Sequence, residues 1–334
     1  MKRVGNLFEL AFTPETLYAG YVAASRGKHS TRACFEFERR LAYNLDALHE
    51  EIVSGTYRPR PYFRFVVHEP KERVIYAPAF RDLVVQHAIY RVIVPIFDPT
   101  FISTSFACRV GYGTHRAADY AQRALKSSPR DSYTLKLDAR KFFYSIDRAV
   151  LRDLIGRKIK DRRFVEVMMQ FADYGEPVGI PIGNLLSQIY ALIYLNPVDH
   201  FIKRTLGVTH YCRYVDDLVL FGLTREQCLE YQEQIRVFMR DRLKLALSRT
   251  TISLTRRGIN FVGYRTWASK RFIRKYSLYK MRLCVVKNNR EAVVSILGHA
   301  RRTHSLQHML RTVKSYSEAL YQSLPRNYRI NFKK

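Results

Sequence analysis

The chain has 334 residues, 47% of them hydrophobic and 13% aromatic, enough apolar matter to bury a sizeable core and to exclude a disordered polypeptide. Its 57 Lys+Arg against 29 Asp+Glu leave a formal net charge of +28, far beyond what solubility requires, so a polyanionic partner is expected, nucleic acid first. The five cysteines (Cys34, Cys108, Cys212, Cys228, Cys284) are odd in number and contain no Cys-x-x-Cys pair, which argues for a reducing cytoplasm and against a disulfide framework or a zinc site.

The N-terminus is basic, but Glu9, Pro14 and Glu15 interrupt the apolar run that a signal peptide needs. Apolar spacing predicts a helix over Arg32 to Ser54. A strand rich in Tyr, Phe, Pro and Arg is expected from Tyr57 to Phe65. It leads into a hairpin over Val66 to Ile75, with Pro70 at the turn and Lys71 and Arg73 on the outgoing strand. Isolated bases on an exposed hairpin are ordinarily just solvated. Phe80 to Phe97 reads as an amphipathic helix ended near Pro95. Ser105 to Ala118 is a glycine-containing loop, around Gly111 and Gly113, that opens a helix at Thr114, where a plain helix cap is one local reading.

Tyr133 to Asp138 alternates apolar and polar residues as a half-buried strand does, then breaks into a turn or helix start. Phe142 and Phe143 follow, either of which fits a core, and Asp147 is placed to cap or pair on the next helix. A basic helical stretch spans Leu151 to Phe171. The longest uncharged run, Pro177 to Val198, contains Pro181, Asn184, Ser187, Gln188 and Asn196, which suits a buried helix with its preceding loop and not a membrane span. Tyr211 to Leu220 reads as a β-hairpin carrying Asp216 and Asp217 at its turn. A helix from Arg225 to Leu243 then leads to Leu245 to Ile252. From Lys270 to Lys334 there are 16 Lys+Arg and 2 Asp+Glu, half of the whole net charge, interleaved with Tyr276, Tyr279, Leu310, Tyr316, Tyr321 and Tyr328. Two or three helices are expected from Arg290 to Leu324.

An acid pair at a hairpin tip is by itself commonly a solvated turn. A third acid on another strand changes that reading. Two strands delivering Asp138, Asp216 and Asp217 to one point suit a hard cation, Mg²⁺ best, because it takes a few carboxylates plus substrate phosphates. A pair of such ions clamps the attacking and leaving oxygens of an in-line phosphoryl displacement.

Tyr214-Val215-Asp216-Asp217 preceded by the Asp138 strand resembles the palm of a reverse transcriptase. The resemblance covers the chain from about residue 30 to about residue 310, including Arg257 to Arg265 and Gly298-His299-Ala300. It implies an α+β, right-hand polymerase fold: fingers and palm (antiparallel sheet plus helices) over 1–265, and a small basic helical thumb over 266–334. The implied enzyme is an RNA-directed DNA polymerase with two Mg²⁺, Mn²⁺ being a possible substitute, held by the catalytic Asp138, Asp216 and Asp217 and the backbone carbonyl of Ala139. Nucleotide contacts fall, by resemblance, to Lys71, Arg73, Phe142, Phe143, Ile182, Gly183 and Gln188, with Phe143 beneath the sugar excluding a 2′-hydroxyl. Primer and template contacts fall to Arg109, Tyr214, Gly263, Tyr264, Arg274 and Lys275. Only a thumb fits in the stretch after Tyr264, with no nuclease domain expected there.

One block departs from the commoner pattern. Most reverse transcriptases of bacterial retroelements read Gly-x-Pro-Gln-Gly-x-x-x-Ser-Pro, whereas this chain has Ile182 in place of Gln and Gln188 in place of Pro. An apolar residue, Ile182, then Gly183, three residues, Ser187 and Gln188 resembles the signature of reverse transcriptases from diversity-generating retroelements. That family copies a template-repeat RNA with errors at adenines, which implies mutagenic retrohoming. Ile182 offers packing where a Gln amide offers hydrogen bonds, so discrimination from polar contacts falls. Arg249 stands where many relatives have Lys; it gives up a proton poorly, leaving phosphate contact or structure as its role. The implied partners are template RNA, an RNA/DNA primer-template duplex, dNTPs and a small basic accessory variability protein, in the cytoplasm of a bacterium or phage-infected cell and away from membranes. The other readings are a reverse transcriptase of a retron, group II intron or phage-defence system, and an RNA-binding relative without activity.

Overall fold

The computed structural model describes residues 3–68 and 72–329. In chain order the elements begin with α1 (Leu7–Ala11), α2 (Pro14–Ser25), α3 (Arg32–Glu38), α4 (Leu41–Val53), β1 (Phe63–Val67), β2 (Arg73–Ala77), α5 (Phe80–Phe97) and α6 (Thr114–Ser127). They continue with β3 (Tyr133–Ala139), α7 (Phe142–Ser145), α8 (Arg148–Gly156), α9 (Arg162–Gln170), α10 (Leu185–His200), β4 (His210–Tyr214), β5 (Asp217–Leu223) and α11 (Arg225–Leu243). The rest are β6 (Leu247–Leu254), β7 (Ile259–Phe261), β8 (Tyr264–Thr266), β9 (Arg271–Ile273), α12 (Lys275–Val286), α13 (Arg290–Ala300), α14 (Leu306–Tyr316), α15 (Glu318–Ser323) and α16 (Arg326–Arg329). Two compact units form, each discontinuous in sequence: Met1–Ser103, Asp138–Gly207 and Glu233–Arg249 in one, and Thr104–Leu137, Val208–Gln232 and Thr250–Lys334 in the other.

In the first unit α2 opens on Pro14, whose missing N–H costs nothing at the first helical position, after Thr13, whose side chain accepts from the Thr16 amide at 3.1 Å. A Cβ at Gly20 would lie 2.6 Å from the Val84 carbonyl oxygen, so glycine there is what lets α2 close on α5. The helix expected over Arg32 to Ser54 is two, because Arg40 leaves helical geometry (φ −133°, ψ 46°) and the Asn44 amide takes the Phe37 carbonyl at 2.9 Å. The strand expected from Tyr57 starts only at Phe63; Tyr57 is buried and donates its hydroxyl to Asp82 at 2.7 Å. α5 runs through Pro95, which forfeits only the bond to the carbonyl of the exposed Arg91, in the last turn. The basic stretch of Leu151 to Phe171 resolves into α8 and α9, each with an aspartate cap: Asp147 accepts from the Ala149 and Val150 amides and Asp161 from that of Phe164.

The second unit carries a four-stranded sheet in the order β4-β5-β3-β6 and a three-stranded one in the order β7-β8-β9. By sequence, the last residues of β3 and the first of β6 belong to the first unit's segments. α6 follows Gly113 (φ 131°), and Thr114 is its first residue without a side-chain cap, so the cap reading at Thr114 is corrected. Ala117, Ala121, Ala124 and Leu125 of α6 share a core with Cys212, Val219, Phe221, Ile259 and Phe261. A separate core joins Tyr264 and Ile273 to Met281, Val293, Leu297, Met309, Leu310 and Val313 of the basic C-terminal helices. All five cysteines are free, and no helix among the described residues is long and apolar enough to cross a membrane.

Candidate functional site

The β4–β5 register pairs Tyr214 with Asp217, leaving Val215 and Asp216 as the two turn residues. Val215 has φ 55°, in the left-handed region that a β-branched residue enters only under constraint. Arg213 supplies that constraint. It is fully buried, and its guanidinium donates to the Val215 carbonyl at 2.8 Å. Its backbone is held as well, its amide donating to the Thr104 carbonyl and its carbonyl accepting from the Phe106 amide, both at 3.0 Å. Tyr214, Asp216 and Asp217 are half-buried at this tip. Asp217 Oδ1 lies 2.9 Å from Lys136 Nζ of β3, and the same ammonium donates to the Asn260 carbonyl at 3.3 Å. Burial, reinforced by the Asp217 charge, pushes the Cys212 thiol well above its ordinary pKa, so it stays neutral beneath the hairpin.

Asp138 is half-buried on β3, and its Oδ2 accepts from the Ser248 hydroxyl of β6 at 2.5 Å. Ala139 is buried, and the strand pairing continues past it, the Arg140 amide donating to the Ala246 carbonyl at 2.8 Å. Lys141 then takes φ 45° and turns the chain into α7. That turn sends Phe142 inward, buried beside Tyr194, and leaves Phe143 half-buried with its ring 5.4 Å from that of Phe142. Asp147 both caps α8 and pairs with Lys244 at 2.6 Å; the lysine holds its carboxyl below the usual range.

The loop before α10 is hydrogen-bonded to this segment. The Gly179 amide donates to the Ile146 carbonyl at 2.9 Å and the Ile180 amide to that of Phe143 at 2.8 Å. Two residues on, the Ile182 carbonyl accepts from the Tyr76 amide of β2 at 2.7 Å. Gly183, with φ 104°, lies so close to β2 that a Cβ would come within 2.6 Å of Ile75. Phe143, Ile182, Gly183 and β2 are thus assembled in one place within the first unit. Ile182 is half-buried, Gln188 is exposed on α10, and Arg73 is exposed as the first residue of β2. Lys71 lies outside the described residues. Arg249 is exposed on β6.

In the second unit Arg109 lies over the Tyr112 ring at 4.0 Å and donates to the Ser105 carbonyl at 3.2 Å. Arg274 and Lys275 are exposed where α12 begins. The Tyr264 ring is fully buried and stacked on His299 at 4.2 Å, and its hydroxyl donates to the His299 carbonyl at 2.8 Å. Its side chain therefore serves the core. Gly263 serves the same packing, since a Cβ there would meet His299 Nε2 at 2.7 Å. Sequence reasoning passed over Lys136, Arg213 and Ser248. Only Lys136 left a signal, since strand alternation puts it on the same face as Asp138.

The model of the family described as reverse transcriptase (RNA-dependent DNA polymerase) matches residues 68–266, more than half of the chain. Among curated proteins the chain is 26% identical to Protein YkfC of Escherichia coli, over 83% of this chain and 85% of that one. It is 23% identical to Group II intron-encoded protein LtrA of Lactococcus lactis subsp. cremoris, over 75% of this chain and about half of that one, 53%. Among solved structures it matches the apo telomerase of Candida tropicalis with a TM-score of 0.51 and 12% identity, over 82% of this chain and 61% of that one, a likeness of fold. The fold is the α+β right-hand polymerase fold. The chain belongs to the reverse transcriptase family, that of the RNA-dependent DNA polymerases.

Proposed function

We propose that the chain is the RNA-directed DNA polymerase of a diversity-generating retroelement, copying a template-repeat RNA into cDNA with errors directed to adenines. The observation that carries the subtype is Ile182-Gly183 followed by Ser187-Gln188, where the commoner bacterial pattern has Gln and Pro. The half-buried Ile182, held against β2 through its carbonyl, offers an incoming nucleotide no side-chain hydrogen bond.

Asp138, Asp216 and Asp217 supply the hard oxygen donors that Mg²⁺ takes, each half-buried, and β3 and β5 are neighbours in one sheet. When bound, two such ions supply the Lewis acidity for in-line phosphoryl transfer from a dNTP to a primer 3′-oxygen, with Mn²⁺ as a substitute. The protein's own part is positional. Ser248 orients Asp138, Arg213 holds the turn that presents Asp216, the Ala139 carbonyl adds a neutral donor, and Tyr214 supports the primer end. Arg73 is assigned to triphosphate, as is Lys71, and Arg109 to template, since a guanidinium fork matches paired oxygens. Phe143 closes the sugar site against a 2′-hydroxyl, backed by Phe142, while Gly183 and Gln188 shape the nucleotide side. Fingers and palm over 1–265 precede a thumb over 266–334, whose Arg274, Lys275 and flanking charges grip the duplex backbone. The proposed partners are template RNA, the primer-template duplex and a small basic accessory protein, in a bacterial or phage-infected cytoplasm.

The similarity to LtrA supports a second reading, a group II intron reverse transcriptase of ordinary accuracy. Mg²⁺-dependent cDNA synthesis on an RNA of known sequence, with the product sequenced, separates the two. Errors concentrated opposite adenine are expected, and Ile182→Gln is expected to reduce them about tenfold. Faithful product from the parent protein favours the intron reading, and synthesis that survives Asp216→Ala with Asp217→Ala refutes both.

A further inference from the structure

We propose that His29, Cys34 and Glu38 form a metal site that takes a single divalent ion of intermediate softness, Zn²⁺ first, and clips the turn between α2 and α3. It shares no residue with the polymerase assignments above and lies wholly within the first unit. The lack of a Cys-x-x-Cys pair speaks against an all-cysteine site but not against this mixed set, in which one thiol is a third of the ligands.

The three side chains are brought together locally. Cys34 and Glu38 stand four residues apart on α3, and so on one face of it. The turn before α3 is closed twice, the Lys28 amide donating to the Ser25 carbonyl and the Thr31 amide to the Lys28 carbonyl, both at 2.8 Å, which brings His29 back to that face. One carboxylate oxygen, Glu38 Oε1, then has three partners: the Tyr21 hydroxyl donates to it at 2.9 Å and the Cys34 thiol at 3.3 Å, and His29 Nδ1 lies 2.7 Å away. Ring nitrogen, sulfur and carboxylate oxygen all lie within 4.8 Å of one another. A tetrahedral Zn²⁺ with ligands at about 2.0 to 2.3 Å holds them about 3.3 to 3.6 Å apart. The sulfur–oxygen pair is already close to that spacing, and the nitrogen–oxygen pair must open by about 0.6 Å. The His29 side chain, 63% exposed, has room for that movement and marks the way in for the ion, while Cys34 is buried.

The charges balance as well. A thiolate and a carboxylate offset the two charges of the ion, so no net charge is left beside the buried Cys34. Hydrogen bonds to Tyr21 and His29 hold the Glu38 carboxyl below its ordinary range, so it is ionised at neutral pH. Burial, reinforced by Glu38, pushes the Cys34 thiol up to about 11, so its proton passes to solvent as the sulfur–metal bond forms. Thiolate sulfur disfavours Mg²⁺, Ca²⁺ and Mn²⁺, and together with imidazole it suits Zn²⁺ or Co²⁺. Tyr21, donating to the ligating carboxylate, is the positioning residue.

Co²⁺ added to chelator-stripped full-length protein, with Mg²⁺ in large excess to fill all-oxygen sites, tests this through the thiolate-to-cobalt charge-transfer absorption. One equivalent is expected to give that band together with the visible absorption of tetrahedral Co²⁺. Zn²⁺ is expected to displace it and to raise the melting temperature by on the order of a few degrees. Cys34→Ser is expected to abolish the charge-transfer band, whereas Glu38→Gln keeps the band and weakens Co²⁺ binding by about tenfold or more. His29→Ala is expected to weaken it by a similar factor, and because His29 is exposed on a turn this variant tests the site even where Cys34→Ser fails to fold. Tyr21→Phe is expected to cost about tenfold in affinity with the spectrum unchanged. Cys108→Ser, which removes an exposed thiol, is expected to change nothing. A band that survives Cys34→Ser or vanishes with Cys108→Ser, an affinity unmoved by His29→Ala, or a wild type that gives no band, as a merely hydrogen-bonded turn would, overturns the proposal.

Discussion

Two side chains at the residue scale hold positions that backbone pattern alone would not require. Phe143 is half-buried at the start of α7, with its carbonyl tied to Ile180 and its ring against Phe142, so the ring is held from one side. Phe143→Ala is expected to raise ribonucleotide incorporation relative to deoxynucleotide by on the order of 10², with little loss of stability, as measured by competitive incorporation on one template. Arg213 is a buried guanidinium bonded to the carbonyl of a valine held at positive φ. Arg213→Met removes that donor and frees the turn, with an expected cost of about 2–4 kcal/mol in denaturant unfolding and a loss of polymerisation larger than the loss of folded protein. Asp138 near the end of a strand and Asp216 and Asp217 at a hairpin turn are legible in the sequence. Arg213 is not, because a charged residue between Cys212 and Tyr214 reads as solvent-facing until the segment Thr104 to Phe106 is seen to pair with it.

Most element boundaries follow from local pattern, and the departures have local causes too. α11 runs from Arg225 to Leu243 as its periodicity predicts, and the expected C-terminal helices are α13, α14 and α15. The helix expected over Arg32 to Ser54 breaks at Arg40, where a nearby side chain, the Asn44 carboxamide, donates to the Phe37 carbonyl. The packing of α6 against the C-terminal segment carries a pH response. His115 and His299 flank Tyr264, which lies 3.3 and 3.0 Å from their Nδ1 atoms. Burial lowers both imidazoles below their ordinary value of 6.5, with Arg302 adding to the effect on His115, and His115 adding to that on His299. Arg271, Arg301 and Arg274 press the same way, and Asp119 opposes them at His115. A histidine whose folded pKa is depressed binds fewer protons in the folded than in the unfolded chain. The stability it allows is therefore complete above the unfolded value and is lost as pH falls below it toward the folded one. The melting temperature is expected to drop by on the order of a few degrees between about pH 7 and about pH 5, a slope that His115→Gln with His299→Gln flattens.

For the whole molecule the controlling quantity is charge. A chain with a formal net charge of +28, half of it in the last 65 residues, attracts nucleic acid by releasing counterions, whatever the base sequence. Affinity for a primer-template duplex is expected to fall by roughly a thousandfold between about 50 mM and about 200 mM salt, measured by equilibrium anisotropy. Reversing Arg274 and Lys275 to Glu is expected to flatten that dependence. Sequence alone determined the charge, the family through Tyr214 to Asp217 and the Asp138 strand, and the departure at Ile182 and Gln188, because each is written in contiguous residues. Tertiary structure alone decided which strand lies beside which. It set Lys136 against Asp217, buried Arg213 under the turn, drew Ile182 onto β2 and took Tyr264 into the core. The physical reason is that periodicity records which face of an element is apolar, whereas strand order and the burial of a polar side chain depend on partners tens of residues to more than a hundred residues away, whose identity no local pattern carries.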